Sequence, residues 1–381
     1  MNQELPSYCI VEKRPHLHRI ASDLQNEQII GVDLEADSLF HYQERVCLLQ
    51  ISTPSRDILV DPLALKELSP LEPVFANPRL RKVFHGADYD IRSLYRDFGI
   101  EARSLFDTQI AARFLGFRET GLASLLKETL GLTIEKKYQR SDWSQRPLPS
   151  SMCAYAVQDA CHLIKLSRFL EGKLRAKGLL FCVEEECQLL TKVRPVPGRN
   201  GPLFLKFKGA GKLDPRTLAV LETLLQFRDD LARRRDRPPF KTLGNSALLE
   251  MARQKPASIK ELNAIKALSP KQVDSLGSSL VGRIREALTL PAEALPNYPK
   301  KPQPPYDADV ARRVKTLRKW REQRASMLSI DPPLTLTNAQ INALALGNPC
   351  DPEDLKQMTE IRNWQKQLFG SEICRLLREE G

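Results

Sequence analysis

The chain has 381 residues, 42% hydrophobic and 28% charged, which predicts a folded globular protein of two or three domains and excludes a disordered one. No apolar run reaches the roughly 18 residues that span a bilayer, and the opening MNQELPSYCIVEKRPH holds no apolar signal core, so the expectation is a cytoplasmic protein with no membrane partner. The net charge of +11 is uneven: residues 1–200 carry 27 Lys and Arg against 26 Asp and Glu, while residues 201–381 carry 31 against 21, which predicts a polyanion-binding surface in the second half.

In chain order, residues 28–36, 46–52 and 57–60 read as three strands on short connections, as in an antiparallel meander. A helix is predicted near 63–75, a strand at 82–85, a helix from about 88 to 97 and a strand ending at Phe106. Helices follow near 108–116, 121–130 and 151–170, with Ser150 as a candidate cap. This alternation predicts a mixed sheet flanked by helices, an α/β domain. Two Pro-rich stretches, 194–215 and 291–306, read as linkers and divide the chain into 1–193, 216–290 and 307–381.

The last two pieces are predicted to be small all-α modules that repeat each other. An offset of 93 residues pairs Arg228 with Arg321, Pro239 with Pro332, Asn245 with Asn338 and Pro256 with Pro349 without a gap. Each Asn precedes an apolar helix, a position suited to a cap. The eight cysteines form no CxxC pair, which favours reduced, buried thiols over a disulfide framework or a zinc site.

Three segments carry candidate chemistry. In Ile30-Gly31-Val32-Asp33-Leu34-Glu35, strand alternation turns Asp33 and Glu35 to one face, about 7 Å apart along the strand, and Val32 and Leu34 to the other. Such a pair suits a hard divalent cation, or is two solvated acids at a strand end. In His85-Gly86-Ala87-Asp88-Tyr89-Asp90, a strand runs into a small-residue turn and a helix start, where either Asp88 or Asp90 could simply meet the positive helix terminus. In Tyr155-Ala156-Val157-Gln158-Asp159, a spacing of four sets phenol and carboxylate one turn apart, to orient a water or only to half-bury a tyrosine. Taken singly, none of the three decides between function and structure.

Taken together, D-x-E on a first strand, an Asp in a later strand-to-helix turn and Y-x-x-x-D on a late helix resemble the DEDD exonuclease superfamily, in its tyrosine-bearing branch. The stretches HGADYDIRSLYRDFGI, LFDTQIAARFLG and QRSDWSQRPLPSSMCAYAVQDACHLIKL narrow the resemblance to the ribonuclease D family, and the repeats resemble its helicase-and-ribonuclease-D C-terminal (HRDC) domain, present twice. The resemblance spans nearly the whole chain. It implies a ribonuclease H-like exonuclease fold followed by two helical modules. It also implies two divalent metal ions, Mg²⁺ or Mn²⁺, with Asp33, Glu35, Asp90 and Asp159 as ligands and Tyr155 beside the attacking water. Asp33 would bridge both ions, Glu35 and Asp159 would hold the one that binds the water, and Asp90 would hold the other.

The implied activity is 3′→5′ exoribonuclease action on RNA 3′ ends, with release of nucleoside 5′-monophosphates and transfer RNA precursors as the expected substrates. A DNA exonuclease of the same fold and an inactive binding scaffold are the alternatives. Asp107 and Thr108 are expected to cap a helix, His85 to stabilise a turn and Trp143 to pack, with base stacking by Trp143 or Arg146 left open. Arg233, Arg234, Arg235, Arg237 and Lys241 are candidate phosphate contacts or a solvated helix end. Asp37 and Ser38, just after the first motif, are positions where substrate contacts are open. A fragment ending near Val193 is expected to fold and to cleave short strands.

Overall fold

The computed structural model describes residues 8–135, 137–195, 201–299 and 307–379. Six strands, β1 (Tyr8–Val11), β2 (Ile29–Ala36), β3 (Val46–Ser52), β4 (Asp57–Val60), β5 (Arg81–Phe84) and β6 (Leu105–Asp107), form one mixed sheet in the order β1-β4-β3-β2-β5-β6. β2, β3 and β4 form the expected antiparallel meander. β5 joins β2 in parallel, β6 joins β5 in parallel, and β1 closes the far edge parallel to β4. All seven residues of β3 are buried, as a central strand covered on both faces requires.

The helices of this region are α1 (Arg14–Leu24), α2 (Pro62–Leu65), α3 (Glu72–Ala76), α4 (Asp88–Phe98), α5 (Thr108–Leu115), α6 (Leu122–Leu130), α7 (Ser150–Cys161), α8 (Leu163–Ala176) and α9 (Leu180–Leu190). The single helix expected near 63–75 is instead α2, one 3-10 turn at Ser69–Leu71 and α3, since Lys66 adopts a left-handed conformation and Pro70 and Pro73 each remove a helical donor. The one expected over 151–170 is two helices that break at His162. Ser150 begins α7 without capping it. β1, α1 and α9 have no counterpart in the sequence reading.

The repeats are α10 (Pro215–Arg234), α11 (Pro239–Thr242), α12 (Asn245–Gln254), α13 (Ile259–Ile265) and α14 (Pro270–Leu288), then α15 (Ala308–Leu328), α16 (Pro332–Thr335), α17 (Asn338–Gly347), α18 (Pro352–Gln357) and α19 (Asn363–Glu379). Every helix of the second begins 93 residues after its counterpart. Asn245 and Asn338 do not cap. They lie inside their helices, where Arg228 donates to Asn245 Oδ1 at 2.6 Å and Arg321 to Asn338 Oδ1 at 2.9 Å. The same bond thus ties the first helix of each repeat to the third.

The chain divides into two compact units, the first built from the described residues of 1–36, 46–195 and 305–381 and the second from those of 37–45 and 196–304. In the first unit, the second repeat shares one hydrophobic cluster with the sheet and its helices. Trp364, 2% exposed, stands edge-on to Phe114 of α5 at 5.2 Å and donates Nε1–H to Glu186 of α9 at 2.8 Å. The Glu185 carboxylate accepts the backbone N–H groups of Asn363 and Trp364, each at 2.8 Å, and so satisfies the start of α19. Gly116, at φ +85°, lies so close to the Ser329 carbonyl that a Cβ would stand 2.1 Å from its oxygen. This packing removes the basis for expecting a fragment that ends near Val193 to stand alone, because the cut would bare the Phe114 surface.

In the second unit, residues 203–213 are not a free tether: Phe204, Phe207 and Ala210 are buried in the core of the first repeat, and Glu222 accepts the N–H groups of Leu203 and Phe204 at 3.0 and 2.9 Å. Residues 196–200 and 300–306 of the two Pro-rich stretches lie outside the described residues. The loop 37–45 packs on the end of α10. The Tyr42 hydroxyl donates to Asp229 at 2.8 Å, and His41 Nδ1 lies 2.7 Å from Asp236. Asp37, buried, accepts the Arg45 backbone N–H at 2.7 Å and closes the loop base, a structural use of a position read as open to substrate.

Trp364→Ala removes a buried aromatic side chain and one hydrogen bond, and is expected to destabilise the first unit by about 3–5 kcal/mol. Trp364→Phe should cost clearly less. Thermal unfolding of the full chain measures both, and an unchanged Tm in Trp364→Ala would show that the second repeat is only loosely seated.

Candidate active site

The sequence of β2 alternates in function as well as polarity. Ile30, Val32 and Leu34 are buried in the main core, while Gly31, Asp33 and Glu35 point to the opposite face. The junction of α7 and α8 lies on that second face. A Cβ at Gly31 would stand 2.7 Å from the Ala160 carbonyl oxygen and 3.2 Å from Leu163 Cβ. Glycine therefore lets the helix approach the strand, and Asp159, next to Ala160, comes with it. Asp33, Glu35 and Asp159 each offer an oxygen within 4.8 Å of the other two.

Asp90 arrives from β5, which is hydrogen-bonded to β2, through the turn 85–87 and the first turn of α4. It is 6% exposed and close enough to Asp33 to feel its charge, though outside the 4.8 Å group. Asp88 turns outward into a two-point ion pair with Arg92, at 2.7 and 3.0 Å, so of the two acids in this turn Asp90 is the one that faces the cluster. Asp107 holds the turn. Its carboxylate accepts Gly86 N–H and Ala87 N–H at 3.1 and 2.7 Å while also capping α5 through Gln109 and Ile110. Capping is as expected, and clamping the turn that aims Asp90 adds to it.

The electrostatics follow from crowding. Burial raises the Asp33 carboxyl to about 6, against a backbone hydrogen bond from Leu34 that lowers it. Burial raises Glu35 to about 10, with the charges of Asp33, Asp159 and Asp90 adding to the effect. Burial and Asp33 raise Asp159 to about 8, and a hydrogen bond from the Tyr155 hydroxyl pulls it down. Burial, Asp33 and Asp107 push Asp90 well above the usual carboxylate range. The Tyr155 phenol is raised as well, by burial and then by Asp159 and Glu35, so it stays protonated at any working pH. Among the described residues no Lys, Arg or His forms an ion pair with any of these four acids. An all-oxygen donor set with surplus negative charge and no protein cation fits a hard divalent ion.

The neighbouring residues take structural parts. Trp143 is 1% exposed and lies beside the Tyr155 ring at 6.2 Å, as packing predicts, so it has no face for a base. Arg146 grips both oxygens of Asp61, at 2.6 and 2.8 Å, and the Cys47 carbonyl at 2.7 Å, which fixes the loop before α7. His85 Nδ1 lies 2.9 Å from Thr108 Oγ1, which itself donates to the Phe84 carbonyl, so Nδ1 carries the proton and the histidine braces a turn. Sequence reasoning missed the use of Gly31, although a glycine inside an apolar strand is a signal of close backbone approach. It also missed Gln50, a buried amide directly across β3 from Asp33 that stands out in VCLLQIS.

Comparison with known proteins accords with this geometry. Residues 8–175 match the family model described as 3′-5′ exonuclease, and residues 217–284 and 310–377 each match the HRDC domain. Ribonuclease D of Pseudomonas paraeruginosa is 30% identical over 356 residues, 93% of each chain. The chain belongs to the ribonuclease D family. The exosome complex exonuclease RRP6 of Saccharomyces cerevisiae is 33% identical over 294 residues, which cover 73% of this chain and 40% of that protein. The crystal structure of Escherichia coli RNase D, an exoribonuclease involved in structured RNA processing, aligns with a TM-score of 0.72 and 27% identity, over 98% of this chain and 99% of that one. No helix of the described residues is long and apolar enough to cross a membrane.

Two predictions follow from the crowding. Carboxyls raised from about 4 in the unfolded chain to about 6, 8 and 10 in the folded one bind more protons when folded, so their contribution to stability falls as pH rises through that window. A divalent ion that replaces those protons should raise the Tm, and by more at pH 8.5 than at pH 6. A shift equal at both pH values would contradict this. Gly31→Ala forces α7 off the strand and should lower hydrolysis by about 10²-fold, the scale of a misplacement near 1 Å, with the circular dichroism spectrum retained. Undiminished activity in that variant would show that the helix can yield without cost.

Proposed function

We propose that the chain degrades RNA from its 3′ end, one nucleotide at a time, by metal-dependent hydrolysis at Asp33, Glu35, Asp90 and Asp159, and that transfer RNA precursors and other structured RNAs are its substrates. The observation that carries this is the convergence of four acids and one phenol from β2, α4 and α7 on a single face beside Gly31. Membership of the ribonuclease D family supplies the reaction class, 3′→5′ exoribonuclease activity in RNA processing. We take Mg²⁺ or Mn²⁺ as the ions, two in number, and 1–193, 216–290 and 307–381 as the module plan. The eight free thiols fit a reducing cytoplasm.

Bound divalent ions would supply a water of lowered pKa and positive charge opposite the phosphate oxygens. Asp33, Glu35 and Asp159 would hold one such ion, and Asp90 would hold the other. The Tyr155 hydroxyl donates to Asp159 and so keeps an oxygen lone pair for the attacking water, which it orients. The water oxygen bonds to the terminal phosphorus and the bond from phosphorus to the preceding 3′ oxygen breaks. The attacking water gives up its proton, the leaving oxygen takes one, and a nucleoside 5′-monophosphate departs.

Asp33→Asn, Glu35→Gln, Asp90→Asn and Asp159→Asn are each expected to abolish hydrolysis while leaving the fold intact. Tyr155→Phe keeps the ring and should lower the rate by roughly 10²–10⁴, the usual scale for a proton-handling group. The assay is digestion of matched RNA and DNA oligomers with free or blocked 3′ ends, with and without Mg²⁺. Full activity in two of the acid variants, or preference for DNA, would overturn the proposal.

A further inference from the structure

The two HRDC repeats share a backbone and differ at one corner, the turn between their first and second helices. In both, the corner contains a non-glycine residue with positive φ at the same place, Asp236 at 45° and Ser329 at 56°. In the second repeat the corner carries no positive charge: Ser326, Met327, Leu328 and Ile330, then Pro333 and Leu334, with Asp331 its one charged residue. One side of it is seated, with the Ser329 carbonyl on Gly116, Ile330 buried, and Leu328 and Leu334 packed against the cluster that holds the sheet, while Ser326, Met327 and Pro333 stay exposed. In the first repeat the equivalent positions are Arg233, Arg234, Arg235 and Arg237, then Phe240 and Lys241.

The first repeat's corner is not seated in that way. Arg234, Arg235 and Arg237 are exposed and, among the described residues, form no ion pair. Arg233 is paired with Asp229 at 3.2 Å, and Lys241 stands 4.3 Å over the Phe40 ring. Phe240 is 55% exposed beside them. A cavity of about 560 Å³ opens next to Arg233 and Arg234, with Phe227, Ser279, Gly282 and Arg283 in its wall; Asp230 and Glu286, also there, lie 3.9 Å from Arg233 and 3.1 Å from Arg283.

Unpaired guanidinium groups in a row repel each other and gain most from a polyanion, and an exposed ring among them offers a face for a base. We infer that the α10–α11 corner of the first repeat is a docking surface for single-stranded RNA, with Arg234, Arg235 and Arg237 on phosphates and Phe240 stacked on a base. In the second repeat the positions of Arg235, Arg237 and Lys241 are taken by Leu328, Ile330 and Leu334, which pack inward instead. The inference rests on the exoribonuclease reading above and names where the substrate is gripped beyond the active site.

The test uses the full chain. Affinity for a 20-nucleotide single-stranded RNA is measured in chelator, to prevent cleavage, across a salt series. Triple substitution of Arg234, Arg235 and Arg237 with Gln should weaken binding and lower the slope of log affinity against log salt by about 2, near 0.7 per lost phosphate contact. Phe240→Ala should weaken binding about five- to 100-fold and leave the slope unchanged, since stacking releases no counterions. A control triple with the same charge change elsewhere on this unit, Arg253, Lys260 and Lys266 to Gln, should have a much smaller effect. Equal loss in the control triple, or an unchanged slope in the corner triple, overturns the inference. Activity on a trinucleotide with Mg²⁺ is read in parallel. If the wild-type chain leaves the trinucleotide intact the exoribonuclease reading fails, whereas intact trinucleotide cleavage with an unaltered salt slope removes the corner alone.

Discussion

The interaction on which the rest depends is the approach of α7 to β2 at Gly31. A strand that presents two acids on one face meets a helix that presents a third, and the chain tolerates this because no side chain separates them. The crowding is unfavourable for the protein alone: burial and mutual repulsion hold Glu35 at about 10 and Asp159 at about 8. The same crowding of oxygens fits a divalent cation, whose charge would offset it. The supports around it are correspondingly firm. Asp107 clamps the turn before Asp90, Arg146 and Asp61 fix the loop before α7, and Trp143 backs the Tyr155 ring.

The duplicated helical module shows how one backbone takes two uses. Both copies keep the Arg–Asn bond between their first and third helices, and both turn the same corner with a left-handed residue. Apolar residues at that corner in the second copy let it merge into the hydrophobic cluster of the sheet, with the Trp364 indole on Phe114 and Glu186. Arginines in the first copy forbid such burial, because each charged group taken from water would need a partner. The first copy instead gathers residues 203–213 and the loop 37–45 around its own core.

Much of the protein was legible before any coordinates. The period-two pattern of IIGVDLEA placed Asp33 and Glu35 on one face, and the 93-residue offset marked the repeat, because strand alternation and helical packing leave their period in the residues themselves. The four acids and Tyr155 were named through the resemblance to the exonuclease family that their three motifs carry together. Asn245 and Asn338 looked like caps and are arginine acceptors, a tertiary use, and the helix expected over 63–75 is split into short helices by the left-handed Lys66 and by Pro70 and Pro73.

What the sequence determined by itself is therefore the chemistry, the order of the modules and the face on which each acid of β2 stands. Only the tertiary structure decided that Asp88 is drawn outward by Arg92, that Gly31 matters for what it lacks, and that the second repeat belongs to the unit that holds the sheet. Each of these depends on which surfaces meet in space. A pattern along one strand or helix records its own period, but not the identity or the distance of the element packed against it.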